Sequence, residues 1–297
     1  MGQALAAAFP VARHTFEEID DALEQKLTRL MAEGPEDELT LTENAQPALM
    51  AVSMATLRVL EEQGGVSVAG SAKFAAGHSL GEYSAHAAAG TFALADTARL
   101  LKTRGLAMQQ AVPVGEGAMA ALLGADMAQA AAIADAASEG QVCAPANDNA
   151  PGQVVLSGHK EAIDRAIEIA PDHGIRRALP LPVSAPFHCE LMAPAADVMA
   201  EALGNVAISR PAIPIVANVT ATPIEDPEDI RDLLVRQVTE MVRWRECVLA
   251  MKEAEVDTLV EIGAGKVLTG LTKRIDKEMT SISVETPDDV EAFLKTL

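Results

Sequence analysis

An α/β fold is predicted by the order in which elements recur along this 297-residue chain and by one short motif. Strand-like and helix-like segments alternate on both sides of a central stretch, the pattern of a parallel sheet covered by helices. Between Pro113 and Pro182 the order becomes βαββαβ, which folds as a small antiparallel sheet with both helices on one face, the ferredoxin-like pattern. The third observation is the pentapeptide Gly77-His78-Ser79-Leu80-Gly81, a Gly-x-Ser-x-Gly between an apolar stretch and a helix-compatible one. A strand turning sharply into a helix there makes the larger sheet α/β-hydrolase-like.

Each element has its own signal. Phe16, Ile19, Leu23, Leu27 and Leu30 recur at three- to four-residue spacing, so residues 14–33 are expected to form one amphipathic helix. A second helix is expected over 46–63, closed by Gly64-Gly65. Lys73 to Ala76 reads as a short buried strand, and Tyr83 to Ala89 as an alanine-rich helix that stops at Gly90. Another helix, over 96–112, carries Arg99, Lys102 and Arg104. In the central stretch, strands are expected at 118–123, 141–144, 153–157 and 176–181, with helices at 127–137 and 161–170. Beyond it follow a helix at 193–203, a strand at 215–219, a helix at 228–254 and a strand at 258–262. A larger unit, residues 1–112 and 184–297, is thus expected to be interrupted by a ferredoxin-like unit at 113–183.

Composition narrows the function classes. With 49% hydrophobic residues the chain can bury a large core. No apolar run reaches the roughly 18 residues needed to span a bilayer, and Met1 to Pro10 lack the basic start of a signal peptide. A cytoplasmic protein without a membrane partner is expected. Cys143, Cys189 and Cys247 are scattered without the paired spacing of a zinc site or a disulfide framework, so they are read as reduced thiols. Forty-three acidic against 23 basic side chains give a net charge of −20, which disfavours a nucleic-acid partner.

Chemistry centres on Ser79. At a strand-to-helix turn its side chain would be exposed as a nucleophile, and the backbone N–H of Leu80, at the start of the helix, could stabilise an oxyanion. Glycines on either side would let the neighbouring backbone pack without a Cβ clash. The pentapeptide also recurs by chance, so its weight comes from context. A serine needs a base, and six histidines are available. His14, His159 and His173 sit in polar segments, while His78 and His86 read as structural. His188 closes a loop fixed by Pro182 and Pro186, where it is either the base or a ring packed on Phe187. Neighbouring Cys189 should point elsewhere. No acid between Ser79 and His188 stands on a strand end, which favours a Ser-His dyad leaning on a backbone carbonyl over a full triad. Arg104, on the helix after the Ser79 helix, is either a clamp for a substrate carboxylate or a solvated charge like Arg99. Gly263-Ala264-Gly265-Lys266-Val267 lacks the spacer and the Ser or Thr of a phosphate loop, so nucleotide hydrolysis is rejected.

Taken together these stretches resemble the malonyl-CoA:acyl carrier protein transacylase family over nearly the whole chain. The resemblance is carried by Gly77 through Ser84, Arg104-Gly105 with Met108-Gln109, and Gly117-Ala118-Met119-Ala120. Pro151 through Val155, Leu181-Pro182-Val183-Ser184 through His188-Cys189, Leu234 through Gln237, and Glu261-Ile262-Gly263 with Gly265 through Leu268 extend it. It implies Ser79 as the acylated nucleophile, His188 as its base, Arg104 as the clamp on a malonyl carboxylate, and the Gln237 carbonyl as the support of His188. Phe187 is similar to the bulky residue of malonyl-selective members.

Several expectations follow from the resemblance. The implied partners are malonyl-CoA, as substrate, and an acyl carrier protein, with no metal or cofactor and a monomeric enzyme. The acidic carrier would need a local basic surface, for which Lys273, Arg274 and Lys277, or Arg176 and Arg177, are candidates. Members begin with a strand and a Gly-Gln-Gly-Ser-Gln loop, whereas Met1-Gly2-Gln3-Ala4-Leu5 aligns just after that loop, so a shortened chain with its start upstream is expected. The alternatives are a serine esterase or thioesterase, or a non-catalytic carrier-binding protein.

Overall fold

The computed structural model describes residues 1–183 and 185–297; Ser184 lies outside the described residues. Five helices come first: α1 (Gln3–Ala8), α2 (Pro10–Leu23), α3 (Leu27–Glu33), α4 (Glu36–Leu39) and α5 (Thr42–Gly64). The single helix expected over 14–33 is therefore two. Glu24 adopts a left-handed φ of 50° and ends α2, while the Asp20 carboxylate turns forward to accept the Thr28 N–H at 2.8 Å and its hydroxyl at 2.9 Å. Asp20 so satisfies a free donor in the first turn of α3. The apolar spacing survives the break, since Phe16, Ile19, Leu27 and Leu30 are all buried.

After a short α6 (Val68–Ser71), β1 (Ala75–Ala76) leads through Ser79 into α7 (Leu80–Ala88), and α8 (Leu94–Gln110) follows. Gly90, at φ 76°, makes the expected stop. Next come β2 (Gly117–Leu123), α9 (Met127–Ser138), β3 (Cys143–Ala150), β4 (Gln153–His159), α10 (Lys160–Ile169) and β5 (Arg177–Pro180). The four strands form an antiparallel sheet in the order β3-β4-β2-β5. Alternation along β2 sorts its residues. Ala120 and Leu122 pack with Ile133 of α9 and Ile163 of α10, whereas Met119 and Ala121 face the other way, toward Leu181 and Phe187.

Strand β3 runs beyond the expected 141–144, through the strand-poor sequence Asn147-Asp148-Asn149. Tertiary partners hold it extended: the Asp148 N–H donates to the Val242 carbonyl, and the Val242 N–H to the Ala146 carbonyl, each at 2.9 Å.

The remaining elements are α11 (Ala193–Gly204), β6 (Ile215–Val216), β7 (Pro223–Ile224), α12 (Pro227–Arg236), α13 (Trp244–Glu253), β8 (Thr258–Ile262), α14 (Val267–Ile275), β9 (Thr280–Val284) and α15 (Pro287–Leu294). Strand β1 pairs in parallel with β6, and β8 with β9, which makes the chain mixed α/β. The helix expected over 228–254 is interrupted between α12 and α13. There the Gln237 carbonyl accepts from a histidine ring, and the Val242 and Arg243 N–H groups donate to Ala146 and Asn218. Neither glycine nor proline marks that break.

Candidate active site

Gly77-His78-Ser79-Leu80-Gly81 connects β1 to α7 by a turn in which Ser79 adopts φ 53° and ψ −110°, a strained backbone for a residue with a side chain. A Cβ on Gly77 would lie 2.0 Å from the carbonyl carbon and oxygen of Gly81, so only glycine fits there. Gly81 differs from expectation, because a Cβ added to it would meet nothing within 4 Å. Asn218, just past β6, staples the turn. Its Oδ1 accepts the Ser79 N–H and its Nδ2 donates to the Gly77 carbonyl, both at 2.8 Å.

Ser79 Oγ lies 2.8 Å from His188 Nε2, and His188 Nδ1 lies 2.8 Å from the Gln237 carbonyl. A carbonyl only accepts, so Nδ1 carries the imidazole proton and Nε2 is left to accept from the serine hydroxyl. Burial, reinforced by the Arg104 charge, lowers the His188 pKa to about 3, which keeps the ring neutral near pH 7. His188 itself takes a left-handed φ of 58°.

Arg104, on α8, is 1% exposed, unlike Arg99 and Lys102 of the same helix. Its Nη1 donates to Gln46 Oε1 at 2.7 Å, and its Nη2 to Gln237 Oε1 at 2.9 Å and to Ser79 Oγ at 3.1 Å. All three acceptors are neutral. The guanidinium carbon sits 5.6 Å from the Tyr83 ring centroid. Ser79, Arg104, His188, Leu80, Met108 and Phe187 line a cavity of about 150 Å³. Among the described residues the Leu80 N–H has no acceptor.

All six residues singled out from sequence are therefore gathered at one cavity or at its His188 support. Four others were not read from sequence: Gln46, Asn218, Glu82 and the side chain of Gln237. Buried Glu82 accepts from Gln237 Nε2 at 2.6 Å and from the Asn218 N–H at 3.1 Å. Burial raises its pKa to about 7. Their only sequence signal is polarity at positions that should be apolar if simply buried, and nothing local says which of them converge.

The remaining candidates lie elsewhere. His86 is buried, 3.2 Å from Thr91 Oγ1 through its Nδ1 and edge-on to Phe92. His78 turns to Asn149 Oδ1 at 2.8 Å. The Cys189 thiol donates to the Pro186 carbonyl at 3.2 Å. At the glycine-rich loop before α14, the Glu261 carboxylate already accepts the Leu268 and Thr269 N–H groups, at 2.9 and 2.7 Å, where a phosphate would bind. No group of three or more His, Cys, Asp or Glu among the described residues could hold a metal. Among the described residues no helix is long and apolar enough to cross a membrane.

The model of the acyl transferase domain matches residues 1–287. The malonyl CoA-acyl carrier protein transacylase of Escherichia coli (strain K12) is 46% identical over 291 residues, 98% of this chain and 93% of that protein. Its counterpart in Bacillus subtilis (strain 168) is 42% identical over 298 residues, 100% of this chain and 92% of that protein. A crystal structure of acyl-carrier-protein-S-malonyltransferase from Bartonella henselae superposes with a TM-score of 0.97 at 54% identity, covering 100% of this chain and 94% of that one. A chain from the complex of a type II PKS acyl-carrier protein with its malonyl-transacylase superposes with a TM-score of 0.96 at 43% identity, covering 100% and 95%.

Proposed function

This chain belongs to the acyl transferase domain family, and on that premise we propose that it moves a malonyl group from malonyl-CoA to the phosphopantetheine thiol of an acyl carrier protein for fatty-acid synthesis. The observation that carries the reading is Arg104: a buried cation held on neutral oxygens, 3.1 Å from the serine hydroxyl. Such a cation selects an acyl group with a free carboxylate, because a neutral acyl chain would leave it unpaired.

In this reading Ser79 is the nucleophile. Its hydroxyl proton passes to His188 Nε2 as Oγ attacks the thioester carbonyl, a general-base contribution of roughly 10²- to 10⁴-fold. Arg104 Nη2 donates to the same Oγ and favours its developing negative charge. The N–H of Leu80, a residue of the cavity wall, has no acceptor among the described residues and donates to the oxyanion, as such donors do for roughly 10²- to 10³-fold in rate. His188, steadied by the Gln237 carbonyl, then returns the proton to the departing CoA sulfur. The carrier thiol repeats the sequence on the malonyl-serine ester, giving ping-pong exchange. Exchange between a thioester and an ester is acyl transfer alone and needs no metal or redox cofactor.

Phe187 narrows the cavity beside Ser79, which would crowd an α-methyl group. Arg176, Arg177, Lys273, Arg274 and Lys277 are exposed basic groups available to an acidic carrier, and Arg274 donates to Gln153 Oε1, whose β2 partner Leu123 also pairs with Arg177. We also read residues 113–183 as a unit inserted into a larger one formed by 1–112 and 184–297, acting as a cytoplasmic monomer.

Intact-protein mass spectrometry after mixing with malonyl-CoA tests the mechanism. A malonyl adduct is expected on the wild-type chain and not on Ser79→Ala; an adduct that survives the substitution overturns the role of Ser79. Labelled malonyl-CoA supplied with holo carrier protein should label the carrier. Release of free malonate with no label on the carrier would instead mark a thioesterase.

A further inference from the structure

Four groups converge on the side-chain amide of Gln237. Its Oε1 accepts from Arg104, while its Nε2 faces Glu82 Oε2 at 2.6 Å, the Ser79 carbonyl at 3.0 Å and Asn218 Oδ1 at 3.4 Å. An amide turned end for end would set its oxygen against three acceptors and its NH₂ against the guanidinium. Glu82 is the closest of the three and is itself 1% exposed. Its other oxygen, Oε1, has no partner among the described residues and is free to carry a proton. Oε2 therefore accepts from Gln237 whether Glu82 is ionised or neutral, and the amide keeps its orientation in both states.

We propose that Glu82 is a positioning residue for acyl selection, which through Gln237 holds the Arg104 guanidinium on neutral oxygens beside Ser79 and leaves its charge open to a substrate carboxylate. The inference rests on the malonyl-transfer reading above. A carboxylate touching Arg104 directly would form a charge-assisted pair and compete with the substrate for the same N–H groups. Standing one amide away, Glu82 supplies the order of a carboxylate contact without closing that pair. Asn218 extends the same order to the nucleophile, since its N–H donates to Glu82 Oε2 while its side chain holds the Ser79 N–H.

The test is the ratio of malonyl-CoA to acetyl-CoA loading rates on Ser79, read by rapid-quench mass spectrometry on folded protein. Glu82→Gln keeps an oxygen where Oε2 stands, so its ratio should stay within about three-fold of wild type, whereas Glu82→Met removes the nearest of the three acceptors and should lower it about ten-fold. Exchanging the groups, Glu82→Gln with Gln237→Glu, puts the carboxylate against Arg104 and should lower the ratio about 100-fold or more. A merely structural role would slow both donors alike, so ratios unmoved in Glu82→Met and in the exchange variant overturn the inference whatever the absolute rates. A Glu82→Gln ratio that falls as far as that of Glu82→Met overturns it as well, because charge rather than amide orientation would then be the cause. Should the exchange variant not fold, the Glu82→Met and Glu82→Gln pair decides alone. Wild-type protein that takes up no malonyl group overturns the transfer reading and this inference with it; wild-type loading with unmoved ratios overturns the inference only.

Discussion

At the level of single residues, the site works by placing charge out of water. His188, lowered to about 3 by burial and by Arg104, is neutral over the whole physiological range. In the proposed mechanism, protonation would occupy Nε2 and stop proton transfer from Ser79, so the acid limb of the malonyl-loading rate should lie toward pH 3 to 4. Single-turnover loading measured from pH 5 to 8 should show no inflection near 6.5; a half-loss there that persists in Glu82→Gln, which removes the group titrating at about 7, would mean that His188 titrates as an exposed imidazole. The same lowering makes the contribution of His188 to stability full above pH 6.5 and lost as the pH falls toward 3. Arg104→Ala should lower kcat/KM for malonyl-CoA about 100-fold and shift preference toward acetyl-CoA, measured with both donors on one preparation. Equal loss for the two would remove Arg104 from selection. Ser79 could be read from sequence because its signal is local, five residues forming one turn. The state of Arg104 could not, because Arg99, Lys102 and Arg104 share a helix and only tertiary packing decides which is buried. Gln46 and Asn218 were silent for the same reason: each reaches the site from a segment far away in sequence.

Elements show the same division. The two glycines of the pentapeptide look equivalent in sequence and are not. Gly77→Ala would drive a Cβ into the Gly81 carbonyl at 2.0 Å, backbone against backbone. It should cost about 2–3 kcal/mol, a fall in Tm of several degrees, and should displace Ser79 from His188. Gly81 lies inside α7 with open space around its Cα. Gly81→Ala should therefore leave Tm unchanged or raise stability by about 0.5–1 kcal/mol, since alanine is the better helix former. Thermal melts of both variants check the contrast, and equal destabilisation would refute it. The long helices α5 and α8 were legible, as was the βαββαβ order. Where they end was less so. The residues between α12 and α13 carry no breaker, and the helix stops because the Gln237 carbonyl and the Val242 and Arg243 N–H groups find partners in other parts of the chain.

Across the whole molecule, the antiparallel sheet of β2 to β5 sets the distance between Ser79 and His188. The His188 loop leaves directly from β5, anchored by the Leu181 N–H on the Met119 carbonyl at 2.9 Å. A Cβ on Gly117 would fall 2.3 Å from Pro186 Cγ, so the start of β2 bears directly on that loop. The other end of the sheet is fixed to the turn through β3. Asn149 meets His78, next to Ser79, and the Asp148 carboxylate receives Arg245 Nε at 3.1 and 2.9 Å and Nη2 at 2.7 Å. The pair is unequal, with the Asp148 side chain 2% exposed and that of Arg245 29%. Removing the arginine strands a buried carboxylate, whereas neutralising the aspartate leaves a guanidinium that water can reach. Arg245→Ala should therefore cost about 3–5 kcal/mol in chemical denaturation. Asp148→Asn should cost less, and the double variant should recover part of the loss of Arg245→Ala. If Asp148→Asn proves the more damaging, the carboxylate matters for shaping β3 rather than for joining it to α13. Because His78 adjoins Ser79, Arg245→Ala should also slow acylation at temperatures where the chain is still fully folded. A variant that is destabilised but loads malonyl at the wild-type rate would show that the Asn149 contact alone keeps sheet and turn in register.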